Sequence, residues 1–124
     1  MHFSHDRPDY TYALRAADGQ RAKVNDRVLT ASFAVAPDQL LESWAVSDAR
    51  ALREEDLQPL LAMGPSVLIL GTGQDQVFPP AAVMAYCLSR GVGIEVMNNA
   101  SAARTYNVLA SEARKVVTAL ILPG

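Results

Sequence analysis

The chain has 124 residues and a formal net charge of −2 at pH 7; half of its residues are hydrophobic, and it contains one cysteine. One cysteine excludes an intramolecular disulfide, and the slight acidity argues against a dedicated nucleic-acid-binding protein, which usually has a basic surface. No apolar run approaches the roughly 20 residues that cross a bilayer, and the chain begins without a signal-peptide pattern. These features predict one cytoplasmic domain over residues 1–124, without membrane insertion or a cofactor, and they leave the oligomeric state open.

The first part of the chain, residues 1–47, has the pattern of antiparallel β-strands. Asp18-Gly19 and Asn25-Asp26 are turn signals between strands. The segments between such signals either alternate apolar and polar residues or are rich in β-branched and aromatic ones. The predicted strands cover residues 10–15, 20–24, 28–35 and 40–46, the last of which contains Trp44.

The second part, residues 48–124, alternates between apolar runs and stretches with helical spacing. The predicted strands are 67–70, 92–97 and 116–122. The predicted helices lie near 52–61 with Asp48 as a cap, at 81–90 ending at Gly91, and from Asn98 or Asn99 to about Ala113.

This alternation of strands and helices predicts right-handed crossovers and a locally parallel sheet. We therefore predict an α/β fold, a single three-layer domain in which helices pack on a mixed central sheet. The N-terminal antiparallel strands either extend that sheet or form a second layer on it.

The Gly71-Thr72-Gly73 turn follows the apolar strand 67–70. A glycine-rich turn that leads into a helix can offer backbone N–H groups to an anion. It is not a phosphate loop, because no Gly-Lys-Ser/Thr follows, and it is not a dinucleotide fingerprint, because Gln76 stands where the third glycine would be. The alternative is structural: a tight turn that needs a positive φ or close backbone packing.

A second candidate is Glu95, which lies within the apolar strand 92–97. If that strand is central, the carboxylate is buried and must be paired or protonated. Arg104 on the next helix could reach it, and so could Arg114. Glu95 and its arginine partner then form either an acid/base or anion-binding site, or a buried ion pair that fixes the strand against the helix.

Four polar residues form a stripe along the last helix: Arg104, Asn107, Ser111 and Arg114. Their spacing of i, i+3, i+7 and i+10 puts them on one face, which either meets a partner or an anionic ligand or is simply solvated.

Other reactive side chains receive structural interpretations. Tyr106 is expected in the core with its hydroxyl bonded, and Cys87 is expected to be a buried, inert thiol. His2, His5 and Asp6 do not make a convincing metal site, since no further ligand cluster accompanies them.

A series of motifs runs in order through the second part of the chain: Leu70–Gly73, Gln76, Phe78-Pro79, Gly93–Met97, Ala103–Leu109, Glu112 and Arg114. The series resembles a small uncharacterised family that includes a mitochondrial complex I assembly factor and the adipogenesis-associated domain protein of animals. The resemblance implies a compact α/β fold around a mixed sheet and a scaffolding role through protein contact. Two positions depart from it, because Asn98 replaces a frequent Asp and Ala103 a frequent Cys, so a mechanism that needs either group does not carry over.

Two functions follow from these observations. The first is a non-enzymatic protein-interaction or assembly module, as the resemblance implies, with a protein as its partner. The alternative is a binder of, or enzyme acting on, a small anionic ligand in a pocket near the Gly71–Gly73 turn, Glu95 and Arg104. No metal or nucleic acid is expected in either.

Overall fold

The computed structural model of the protein describes residues 9–124. Within this range the chain forms eight strands and three α-helices. The strands are β1 Leu14–Ala17, β2 Ala22–Val24, β3 Arg27–Leu29, β4 Ala31–Ala36, β5 Gln39–Leu41, β6 Val67–Gly71, β7 Gly93–Met97 and β8 Val116–Pro123. The helices are α1 Glu54–Leu61, α2 Ala81–Ser89 and α3 Asn99–Ser111.

Five strands form a mixed sheet in the order β5-β4-β8-β6-β7. Strands β7 and β8 both run parallel to β6, whereas β4 runs antiparallel to β8 and β5 antiparallel to β4. Strands β1, β2 and β3 form a separate antiparallel sheet. The predicted mixed sheet, helices and N-terminal antiparallel region are confirmed.

The central sheet separates two apolar cores, because successive side chains of a strand point to opposite faces. Leu68 and Leu70 of β6 face a core with α1 and α2, while Val67 and Ile69 face a core with α3 and the small sheet. Both faces of β6 are therefore buried, and its uninterrupted apolar sequence reflects this position. The result is three layers, with α2 and α3 on opposite sides of the sheet.

The predicted strand 28–35 is wrong as a continuous element. It divides at Thr30 into β3, which belongs to the small sheet, and β4, which belongs to the central one. Val28 on β3 is 57% exposed, whereas Phe33 on β4 is fully buried. The N-terminal strands thus take both of the places that the sequence left open: β4 and β5 extend the central sheet, and β1–β3 lie in a second layer.

The predicted strand 40–46 is also shorter than expected. Strand β5 ends at Leu41, and Trp44 lies beyond it, buried, with its indole N–H donating to the carbonyl of Asp56 over 2.8 Å. Asp48 caps a short 3₁₀ turn rather than α1 by accepting a hydrogen bond from the Arg50 N–H. Trp44 lies outside β5, although its backbone N–H still donates to the Ser32 carbonyl of β4 over 3.0 Å, and its buried indole has a partner at α1.

The later elements lie close to their predicted positions. Helix α3 begins after Asn98, whose side chain accepts a hydrogen bond from the Ser101 N–H, and Gly91 ends α2 with φ +76°. Within residues 9–124, no helix is long and apolar enough to cross a membrane.

Candidate functional site

The Gly71-Thr72-Gly73 turn lies at the carboxyl end of β6, where ligands often bind in open α/β sheets. A Cβ atom added at Gly71 would overlap the Leu120 side chain and lie 2.5 Å from Asn99 Oδ1. Gly73 has φ +102°, a conformation that other residues rarely adopt. Both glycines are therefore required by the backbone and its packing.

Internal hydrogen bonds occupy the donors of this turn. The Thr72 N–H donates to the Met97 carbonyl over 3.0 Å, and the Gly73 N–H donates to Asn99 Oδ1 over 3.0 Å. The Val77 N–H donates to Thr72 Oγ1 over 2.9 Å. An anion-binding turn needs N–H groups that point at the ligand, and these three point at the protein instead.

Asn99 is the centre of this network, although the sequence suggested it only as a helix cap. It is fully buried, and its side-chain amide donates to the carbonyls of Asp18 and Ile121 over 3.0 Å each. Together with the bond from Gly73, these contacts join the β1–β2 turn, the turn after β6 and the end of β8. The signal in the sequence was the Asn-Asn pair, since one asparagine suffices to cap the helix.

Gln76 fastens the same turn to the edge of the sheet. Its side-chain amide donates to the carbonyl of Val96 on β7 over 2.8 Å. Gln76, which stands where a dinucleotide fingerprint has its third glycine, thus has a structural role.

Glu95 is not buried, contrary to the expectation for a central strand. Strand β7 lies at the edge of the sheet, and the Glu95 side chain is exposed there. Arg104 is also exposed and donates to Ser101 Oγ over 3.2 Å. The expected Glu95–Arg104 ion pair is absent from the ion pairs formed among residues 9–124, because the edge position removes the need for one.

Asn107 does not belong to a solvated stripe, because it holds the N-terminal segment on α3. Its amide donates to the Leu14 carbonyl over 2.6 Å, and its Oδ1 accepts hydrogen bonds from the Leu14 N–H and the Tyr10 hydroxyl, each over 3.1 Å. The two bonds to the N–H and the carbonyl of Leu14 have the same pattern as a β-bridge between backbones. The other members of the stripe, Arg104, Ser111 and Arg114, are exposed.

Tyr106 lies beside this contact and is fully buried, as predicted. Its hydroxyl donates to the Tyr12 carbonyl over 2.7 Å, and its ring packs edge-on against Tyr10 with 6.1 Å between centroids. Burial raises the pKa of the Tyr106 hydroxyl well above its ordinary value.

A cavity lies at the opposite end of the sheet from the glycine turn. Its volume is about 670 Å³, and its walls come from the segment before β1, the β4–β5 turn, the α1–β6 loop and the α3–β8 loop. Four charged residues line it: Asp9, Asp38, Arg114 and Lys115. Of the predicted site residues, Arg114 lines this cavity, whereas the glycine turn, Glu95 and Arg104 do not.

A family of proteins of unknown function, DUF498/DUF598, matches residues 14–121 of the chain. The chain belongs to this family. The match covers every strand and helix except the last residues of β8, and it confirms the resemblance carried by the motifs of the second part.

Relatives of this DUF498 protein include solved structures. The NMR structure of a Xanthomonas campestris protein is 52% identical, with a TM-score of 0.85, and the alignment covers all of this chain and 94% of that one. A Bordetella pertussis protein described as an Mth938-like domain is 29% identical, with a TM-score of 0.81 and the same coverage. The fold is therefore that of the Mth938-like domain.

A named relative comes from Drosophila melanogaster: NADH dehydrogenase [ubiquinone] 1 alpha subcomplex assembly factor 3. It is 35% identical over 104 residues, which make up 80% of this chain and 52% of the fly protein. The chain spans between 52% and 63% of the length of the curated relatives that it matches.

Cys87 of this DUF498 protein matches its structural interpretation. Cys87 is fully buried, and burial raises the pKa of its thiol, which disfavours the reactive thiolate. Among residues 9–124, no three His, Cys, Asp or Glu side chains come together as metal ligands. The prediction about His2, His5 and Asp6 falls outside the described residues.

Proposed function

We propose that this DUF498 protein is a non-enzymatic protein-interaction module whose partner is a protein with an acidic surface. The proposal rests on the assembly-factor name of its relatives and on the outer face of α3. We define the α3 face as Arg104, Val108 and Ser111, which are spaced at i, i+4 and i+7 and so lie side by side on the helix.

The α3 face combines an apolar contact with an available positive charge, and this is the observation that carries the proposal. Val108 is 55% exposed, and Arg104 is exposed and takes part in none of the ion pairs among the described residues. Interfaces are enriched in arginine, whose guanidinium binds carboxylates in a fixed geometry.

Two cations follow α3 beyond the α3 face. Arg114 and Lys115 are both exposed, and three acids lie near them: Glu112 in the sequence, and Asp9 and Asp38 in the same cavity. Arg104 lies outside that cavity and is the charge of the α3 face that favours an acidic partner. Complementary charge would steer a partner to the α3 face and set its orientation there.

The positions of the glycine turn, Glu95 and Arg104 also favour an interaction role over a ligand site formed by these residues. The amides of the glycine turn bond to the protein itself, and Glu95 and Arg104 are separate, exposed side chains. None of these residues lines the charged cavity or the smaller one beside Trp44, whereas the residues of an active site converge on one pocket.

The test compares variants of the tagged chain in affinity capture from the source cells, followed by binding measurements with the purified partner. Arg104→Glu and Val108→Lys change the α3 face, while Arg21→Glu and Val28→Lys make the same changes at exposed positions elsewhere. We expect the α3 variants to lose the partner and the two controls to keep it, once circular dichroism has shown that all four are folded.

The charge argument is tested separately with the identified partner. Reversal of an acidic residue of the partner should restore its binding to Arg104→Glu, and added salt should weaken the wild-type complex. Capture that is unaffected by Arg104→Glu, or a wild-type chain that recovers no specific partner, would overturn the proposal.

A second candidate is the binding of a small anionic ligand, and the charged cavity favours it. Arg114 and Lys115 would hold the anion there, and a volume of about 670 Å³ is within the range of ligand sites. Inorganic phosphate at millimolar concentration should then raise the melting temperature of the wild type but not that of Arg114→Ala. Equal melting temperatures with and without phosphate, citrate and acetate would count against this candidate.

A further inference from the structure

Helix α2 is apolar on the side that faces solvent as well as on the side that faces the sheet. Val83 and Cys87 are buried, as expected for the inner side. On the outer side, Leu88 is 63% exposed, and Phe78, just before the helix, is 60% exposed. A helix that is hydrophobic all round is normally covered all round, so the outer side lacks a cover.

The outer side of α2 has large residues near its ends and small ones between them. Ala81, Ala82 and Ala85 are exposed between Phe78 and Leu88. We call these five residues the α2 face. Small residues in the middle of a helix face allow a second helix to approach closely, and the large side chains at the ends can then pack beside it.

Charge is confined to the two ends of this segment, and the ends have opposite sign. Asp75 precedes the α2 face and Arg90 follows it, with no charged residue between them. Both are exposed, and neither takes part in an ion pair among residues 9–124. The Arg90 guanidinium lies 4.9 Å from the centre of the Tyr86 ring, which holds it at the end of the helix.

The α2 face and its end charges are complementary to those of a second copy in antiparallel orientation. If two α2 helices cross in opposite directions near their centres, Phe78 of each copy lies beside Leu88 of the other. The same crossing brings Asp75 of each copy toward Arg90 of the other, so that unlike charges meet at both ends. A twofold interface of this kind repeats every contact twice.

We propose that two copies of this chain pair in antiparallel orientation through their α2 faces. Charge complementarity selects the second copy, because an identical segment supplies an arginine for the aspartate and an aspartate for the arginine. The proposal is independent of the proposed function, because α2 and α3 lie on opposite sides of the central sheet. A dimer would leave both α3 faces open and so present two partner sites, which strengthens the capture of a partner with repeated epitopes.

The first experiment is sedimentation of the full chain over a wide range of micromolar concentrations. The wild type should show a reversible monomer–dimer equilibrium. Ala85→Arg should weaken it about 100-fold, because it brings like charges together near the twofold axis. Leu88→Lys should weaken it by a similar factor, because it places a charge against Phe78 of the other copy. Val108→Lys, the matched change on α3, should dimerise like the wild type.

The second experiment exchanges the end charges. Asp75→Arg and Arg90→Asp should each weaken the dimer, and the double variant should recover wild-type affinity because the two pairs form again with reversed sign. All positions are exposed, and Leu88→Lys remains informative if Ala85→Arg does not fold.

Several outcomes would overturn the dimer. These are a wild type that stays monomeric at the highest concentration, a dimer that Ala85→Arg and Leu88→Lys both leave intact, or an α2 face that binds a different protein while the chain remains monomeric. The α3 face can fail its test while the dimer passes this one, so the two proposals are separable.

Discussion

Replacement of Asn99 by alanine tests whether the glycine turn is held by the buried amide at its centre. The change removes three hydrogen bonds and leaves the Gly73 N–H and the carbonyls of Asp18 and Ile121 without their partner. A buried polar group without a partner costs about 1–3 kcal/mol. Because the Asp18 carbonyl is only partly buried, we expect a total loss of about 4 kcal/mol in the free energy of unfolding.

This loss is a large part of the stability of a small domain, which is about 5–15 kcal/mol. It corresponds to a fall of about 15 °C in the melting temperature.

The control is Asn98→Ala at the neighbouring position. Asn98 makes one capping bond, to the Ser101 N–H, and its loss should cost about 1 kcal/mol. Urea denaturation followed by circular dichroism gives both values under the same conditions. If Asn99→Ala loses no more stability than Asn98→Ala, the network contributes no more than one helix cap and the reasoning is wrong.

Three further predictions concern buried side chains. The Thr118 hydroxyl has no hydrogen-bond partner among residues 9–124, so Thr118→Val should raise the free energy of unfolding by about 1 kcal/mol in urea denaturation; a loss of stability would contradict this. The pKa of Tyr106 is raised in the folded chain, so its contribution is complete below the ordinary pKa of about 10 and is lost as the pH rises above it, by up to about 1.4 kcal/mol per pH unit. Tyr106→Phe should therefore show a shallower alkaline loss of stability, and an unchanged pH profile would refute the assignment. Cys87 should resist a thiol reagent in the folded chain and react in guanidinium, whereas fast reaction under native conditions would show that the helix opens.

Local patterns in the sequence were sufficient to predict much of the second part of the chain. Gly91 and Asn98 mark helix ends by their own backbone and side-chain chemistry, which needs no distant contact. The uninterrupted apolar residues of β6 predicted a strand whose two faces are both buried, since a strand with one exposed face alternates apolar and polar residues. Burial of Tyr106 and Cys87 followed from their places in helices with apolar faces.

The predicted site depended on distances between segments, and there the sequence was insufficient. Glu95 has the same sequence neighbours in a central strand or an edge strand, and only the order β8-β6-β7 decides that it is exposed. Asn107 has helical spacing with Arg104, yet the contact with Leu14, 93 residues away, takes it out of the polar stripe.

The sequence by itself determined the strands and helices of residues 48–124 and the glycines that the turn after β6 requires, because these depend on interactions within a few residues. Only the tertiary structure decided that Asn99 fills the space that Gly71 leaves and bonds the amide that an anion would have used. Only it placed the charged cavity at the other end of the sheet and left the α2 face uncovered. Strand order and packing across the sheet set these features, and both join residues that lie far apart in the chain.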